Sequence, residues 1–204
     1  MAQIKNIIFD LGGVLLNIDY NKTSEAFAQL GVLQFDELYS LSGANDLFQA
    51  LETGAISDSD FYQKAHAYCH PITTMDKIQV AWNAMLLDFR MESIHTLTDL
   101  KKRYDLYLLS NTNSIHLEAF NRLFKQITGK ESIDGYFKKA YYSHEIKMRK
   151  PNVSTYRFVL DDAGINPSET LFIDDSVNNI NGAREAGILT HLLLPAEKIE
   201  DLHL

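Results

Sequence analysis

Four short apolar runs, at residues 4–9, 105–109, 171–173 and 189–193, are each bounded by polar or turn residues, and all but the last lead directly into a cluster of chemistry-bearing side chains. Runs this short and this uniformly apolar fit strands buried on both faces, as in a parallel sheet. A weaker run at 140–143 adds a candidate strand, and the segments 154–163 and 178–186 show helical spacing between strands. From about residue 101 onward the alternation of strand and helix predicts an α/β core built on a doubly wound parallel sheet.

The stretch between the first two strands is different. Residues 19–89 show no strand alternation but carry helix start and stop signals in quick succession. Asn21 to Glu25 can begin a helix that Gly31 ends, Ser57-Asp58-Ser59-Asp60 can cap the next, and His70-Pro71 stops it. The expected organisation is a core of residues 1–18 and 90–204 and an all-helical insertion of residues 19–89, the chain returning through a helix at 91–104. No repeat or Pro/Gly-rich linker interrupts the chain.

Composition narrows the partners. A formal net charge of -8 and a pI near 5.3 offer no extended positive surface for nucleic acid or an anionic membrane. No segment approaches the roughly 18 consecutive apolar residues of a membrane span, and the opening Met1-Ala2-Gln3-Ile4-Lys5-Asn6 runs into strand pattern rather than a signal peptide. Cys69 is the single cysteine, which excludes an internal disulfide and points to a reducing, cytoplasmic setting. The expected protein is a monomer or homodimer acting on a small molecule.

Four clusters carry the chemistry. Ile7-Ile8-Phe9 delivers Asp10 into Gly12 and Gly13, where open α/β sheets place their ligands, although an aspartate before glycines also fits a turn. Leu108-Leu109 leads into Ser110-Asn111-Thr112-Asn113, whose hydroxyls and amides can hold a phosphate oxygen or simply cap a helix. Lys147-Met148-Arg149-Lys150-Pro151 is a cationic knot in an acidic chain, able to neutralise a phosphoryl group or to sit solvated at the surface. Leu171-Phe172-Ile173 ends in Asp174-Asp175, adjacent carboxylates whose mutual repulsion invites a hard divalent cation, magnesium first, unless they serve as a helix cap.

Together and in this order, Phe9-Asp10-Leu11-Gly12-Gly13-Val14, Leu109-Ser110-Asn111, Lys150-Pro151 and Asp174-Asp175-Ser176 resemble motifs I to IV of the haloacid dehalogenase-like hydrolases. The likeness spans nearly the whole chain, since residues 19–89 resemble the small helical cap of one subclass. Phe9 to Gly12, Leu109 to Asn113 and Met148 to Pro151 are closest to sugar-phosphate phosphatases of the glucose-1-phosphate phosphatase type. The resemblance implies a phosphatase for a small metabolite such as a hexose 1-phosphate, with Asp10 as nucleophile forming an aspartyl-phosphate. It further implies that Ser110 and the Asn111 amide hold phosphoryl oxygens and that Lys150 steadies Asp10 and the transferring group. Mg2+ would be bound by Asp10, the Gly12 carbonyl, Asp175 and Asp174, with Asn179 beside it.

Position 12 departs from the pattern, because phosphatases of this family place a second aspartate there as general acid and base. Loss of a general acid, worth about 100- to 10,000-fold, falls hardest on poor leaving groups. Asp19, at the entry to the cap, is a candidate substitute. The missing aspartate leaves room for a dehalogenase, against which Asp174-Asp175 argues, and for a non-catalytic phospholigand-binding regulator; a phosphotransferase, which would need a sugar bisphosphate to prime Asp10, is a third option. Elsewhere, His66, Cys69 and His70 have a spacing compatible with zinc, while Phe48, Phe61, Tyr62 and Trp82 read as cap core and Tyr141 and Tyr142 as structural.

Overall fold

The computed structural model describes residues 3–33, 35, 42–202 and 204, with backbone alone for 42–46. Its centre is β1 (Asn6–Phe9), every residue of which is buried. β1 pairs in parallel with β4 (Asp105–Ser110) on one side and β6 (Thr170–Asp174) on the other. β5 (Lys139–Tyr142) extends the sheet beyond β4 and β7 (Leu189–Leu192) beyond β6, giving the order β5-β4-β1-β6-β7. The uninterrupted apolar runs are thereby explained: both faces of these strands are covered, so neither needs polar alternation.

Strand alternation divides the core in two. Ile7, Phe9, Leu106, Leu108, Leu171 and Ile173 face α5 (Met91–Leu100) and α6 (Ser114–Thr128), meeting Ile94, Leu97, Phe120 and Phe124. Ile8, Tyr107, Leu109 and Phe172 face α8 (Val153–Ala163) and α9 (Val177–Glu185), meeting Tyr156, Val159, Leu160, Ile180 and Ala183. Each such side chain taken fully from water contributes about 1.5–3 kcal/mol. The doubly wound α/β expectation is met, including the weak strand: Tyr141 is buried in β5 with its hydroxyl donating to Asp162.

Residues after β1 build a second apolar cluster. α1 (Tyr20–Gln29), α2 (Ser42–Glu52), α3 (Asp58–His66) and α4 (Met75–Asn83) supply Phe27, Phe48, Leu51, Phe61, Ile78 and Trp82, joined by Ile115 of α6. Asp19 caps α1, a Ser57/Asp60 capping box opens α3 and Thr74 caps α4. The aromatic residues pack as expected, with Phe48 stacked on Trp82 at 5.1 Å and Phe61 tilted against Tyr62 at 5.8 Å.

The insertion is not wholly helical. β3 (Leu86–Phe89) pairs antiparallel with β2 (Leu16–Ile18), forming a two-stranded ribbon through which the chain leaves and re-enters the core. Leu86-Leu87-Asp88-Phe89 has no alternation to betray a strand, and its only reason to be extended is a partner far away in sequence.

Candidate active site

Each chemistry-bearing cluster sits at the carboxyl edge of the sheet. Asp10 follows β1, Ser110 ends β4 and Asp174 ends β6, around the strand where the chain's winding reverses direction. Lys150 arrives from the segment between α7 (Ser143–Ile146) and α8. A cleft of about 480 Å³ opens over these groups, lined by Asp10, Gly12, Ile18, Ser110, Asn111, Lys150 and Asp175 from the core and by Tyr20 and Glu52 from the insertion.

Lys150 is the hub. Its side chain is 1% exposed, and Nζ lies 2.7 Å from Asp10 Oδ1 and 2.7 Å from Asp174 Oδ2. An ammonium so deep survives only when paired and hydrogen-bonded. Burial alone would lower its pKa, but the Asp10 and Asp174 carboxylates outweigh that and hold it above the usual lysine value. Asn111 fixes the backbone beneath it: Lys150 N–H donates to Asn111 Oδ1 at 2.9 Å, and Asn111 Nδ2 donates to the Lys150 carbonyl at 2.9 Å.

The aspartates have different surroundings. Asp174, fully buried, accepts from Lys150 Nζ, from Ser176 N–H at 2.8 Å and from Asn179 Nδ2 at 3.0 Å. Asp10 accepts from Leu11 N–H at 2.7 Å, and burial pushes its carboxyl up to about 7, with Lys150 opposing and Asp174 reinforcing the rise. Asp175 lies on the open side; partial burial raises it first and the neighbouring Asp174 adds to that.

Such a set fits a divalent cation. Asp10, Asp174 and Asp175 bring carboxylate oxygens within 4.8 Å of one another, and Lys150 sets one ammonium against them. With all three ionised the balance is three negative charges against one positive, a deficit of two. Gly13 adds a second indication: at φ +73°, a Cβ there would lie 2.0 Å from Asp175 Oδ2, so this glycine leaves the space that the carboxylate occupies.

Ser110 is buried at the cleft, and helix capping falls instead to Asn113, whose Oδ1 accepts from His116 N–H at 3.0 Å. All three cations of the knot are engaged: Lys147 donates to the Gly54 carbonyl, Arg149 pairs with Glu52 at 2.9 Å, and Lys150 enters the site. Asp19 accepts from Asn21 N–H at the start of α1, while its neighbours Ile18 and Tyr20 line the cleft. His66 Nε2 lies 2.9 Å from the Thr73 carbonyl and Cys69 Sγ donates to the Ala65 carbonyl, and among the described residues no metal-ligand cluster forms there. Sequence reasoning missed Glu52 and His116, which line the cleft from α2 and α6, and the clamp made by the Asn111 side chain. No local pattern marks them.

A parallel sheet with an aspartate, a hydroxyl, a lysine and an acidic pair at its carboxyl edge defines a class, and the chain belongs to the haloacid dehalogenase-like hydrolase family, whose description matches residues 4–187. Among its relatives is a D-ribitol-5-phosphate phosphatase of Bacteroides thetaiotaomicron, 34% identical over 92% of this chain and 91% of that protein. A HAD family enzyme of the same organism superposes with a TM-score of 0.91 at 35% identity, covering 99% of each chain. That enzyme has also been solved in complex with magnesium and inorganic phosphate, where it superposes at 0.86 with 35% identity over 98% of this chain and 100% of its own.

Proposed function

We propose that the protein is a magnesium-dependent phosphatase of a small phosphorylated sugar or sugar alcohol, with residues 1–18 and 90–204 as catalytic core and 19–89 as cap. The observation that carries this reading is Lys150 bridging Asp10 and Asp174 at 2.7 Å each, because it presents a carboxylate nucleophile in a setting that tolerates an incoming dianion. The relative that hydrolyses ribitol phosphate and the solved magnesium and phosphate complex support it.

In this reading an Asp10 oxygen attacks phosphorus and the ester P–O bond breaks, giving an aspartyl-phosphate and an alkoxide that takes up a proton. Water then attacks the same phosphorus, releasing inorganic phosphate and restoring Asp10, so ester and water become alcohol and phosphate. Lys150 opposes the rise that burial imposes on the Asp10 carboxyl and offsets charge on the transferring group, while Ser110 and the Asn111 N–H bind its oxygens. Asp10, the Gly12 carbonyl and Asp175 would hold Mg2+, with Asp174 steadying Lys150 beside them. When bound, the cation supplies charge neutralisation at the phosphoryl oxygens. Gly12 offers no acid for the leaving group, and turnover unchanged in Asp19→Asn would exclude Asp19 from that role.

The test is a panel of phosphate esters containing D-ribitol 5-phosphate, hexose 1-phosphates, acetyl phosphate and p-nitrophenyl phosphate, assayed with magnesium and with chelator. Hydrolysis that needs magnesium and is abolished in Asp10→Asn is expected. Undiminished activity in chelator would point to dehalogenase-like chemistry, and none on any ester to a phospholigand-binding regulator.

A further inference from the structure

A side chamber of about 110 Å³ adjoins the main cleft, sharing Glu52, Asn111 and His116 with it and reaching Thr23, Phe35 and Trp82 in the insertion. A single water needs only roughly 10–15 Å³ measured this way, so the chamber has room for several heavy atoms. Most of its polar groups are already satisfied. Thr23 Oγ1 donates to the Trp82 carbonyl and accepts from Met85 N–H, and the Asn111 side chain is committed to Lys150. His116 is held neutral, burial pushing its pKa down to about 4, with Nδ1 facing Asn113 Nδ2 and Nε2 donating to the Trp82 carbonyl.

One donor is left over, and one acceptor is held by an ion pair alone. Trp82 is 3% exposed, and its Nε1 has no hydrogen-bond partner among the described residues. Glu52 Oε2 is likewise buried without a hydrogen bond, its companion being the Arg149 guanidinium at 2.9 Å. Buried polar atoms in this condition are rare and call for a partner. One is a donor and the other an acceptor, set among aromatic walls. An alkyl chain would satisfy neither, and an anion would meet the Glu52 carboxylate, whereas a chain of CH–OH units answers both.

We propose that this chamber receives the hydroxylated end of the substrate's alcohol portion, Glu52 accepting from one hydroxyl and Trp82 Nε1 donating to another, with Arg149 as the positioning residue for Glu52. The proposal rests on the phosphatase reading, and it makes two residues of the insertion the determinants of specificity for polyhydroxylated esters.

Trp82 is the only tryptophan in the chain, so its fluorescence reports on the chamber directly. Asp10→Asn protein in magnesium buffer is titrated with D-ribitol 5-phosphate, n-pentyl phosphate and inorganic phosphate. A shift in emission with the ribitol ester alone is expected; the same response to all three, or none to the ribitol ester, overturns the proposal. In the active enzyme, Glu52→Gln and Trp82→Phe should each lower the ratio of kcat/KM for D-ribitol 5-phosphate to that for n-pentyl phosphate by at least about tenfold, as expected when a built hydrogen-bonding site loses its partner. A ratio within about twofold of wild type in both variants refutes it, melting temperatures confirming that each is folded. If the wild type hydrolyses no ester, the phosphatase reading fails, while the fluorescence titration still decides the chamber's occupancy.

Discussion

Gly13→Ala separates the cost of folding from the cost of binding metal. Gly13 adopts φ +73°, a conformation that costs an L-residue roughly 1–2 kcal/mol. The added methyl would stand 2.0 Å from Asp175 Oδ2 and 2.6 Å from its Cγ. Ordinary contact between such atoms begins at roughly 3.5 Å, so the carboxylate must retreat by more than an ångström. Asp175 lies on the open side of the site and can swing into solvent. The stability loss should therefore stay near the backbone figure, about 1–2 kcal/mol by urea denaturation in chelator. If Asp175 holds the cation as proposed, magnesium affinity should fall about 10- to 100-fold by calorimetry, and activity should recover partly as magnesium is raised. Gly12→Ala is the comparison, because its Cβ would meet only the movable Ile18 Cδ1 at 3.1 Å and its φ is not positive. A magnesium affinity in Gly13→Ala within twofold of wild type would refute the placement of Asp175 in the metal site.

Lys150→Met removes the partner of two buried carboxylates and should cost about 3–5 kcal/mol. Without the ammonium, burial drives the carboxyl pKa of Asp10 higher, so the native state binds protons that the unfolded chain releases. The deficit should narrow from pH 8 to pH 5 in urea titrations with chelator, and a pH-independent deficit would contradict the bridge. Asn111→Ala deletes both hydrogen bonds to the Lys150 backbone, with an expected loss of about 2 kcal/mol and a larger fall in kcat than rise in KM. His116 has a folded pKa of about 4 against an ordinary 6.5, so its contribution is full above pH 6.5 and disappears as pH falls through 4. The difference amounts to roughly 3 kcal/mol, and His116→Gln should lack this component of acid destabilisation in melts between pH 7 and 4.5. Gly12→Asp, which restores the family's usual residue where only Ile18 must yield, should raise turnover of alkyl phosphates relative to acetyl phosphate by about tenfold or more.

The core fold and the residues at the carboxyl edge of its sheet are legible in the chain because both are written locally. An apolar strand buried on two faces declares itself by composition, and the residue after its last apolar position falls at the sheet's carboxyl edge wherever the strand lies. Asp10, Ser110 and Asp174 were legible for that reason, and the order of the clusters brought in Lys150 and the family. The rest depends on contacts between distant parts of the chain. β3 is extended because β2 lies beside it, and Leu86-Leu87-Asp88-Phe89 holds no trace of that partner. Asp174 and Asp175 are neighbours in sequence and bring their carboxylates to one site, yet Asp174, the last residue of β6, is buried against Lys150 while Asp175, just past the strand, opens toward the cleft. Glu52 meets Arg149, and Asn111 grips the Lys150 backbone, across distances in sequence that no spacing rule spans. Such pairings follow from where helices pack and which way side chains turn, and those are settled only when the whole chain has folded.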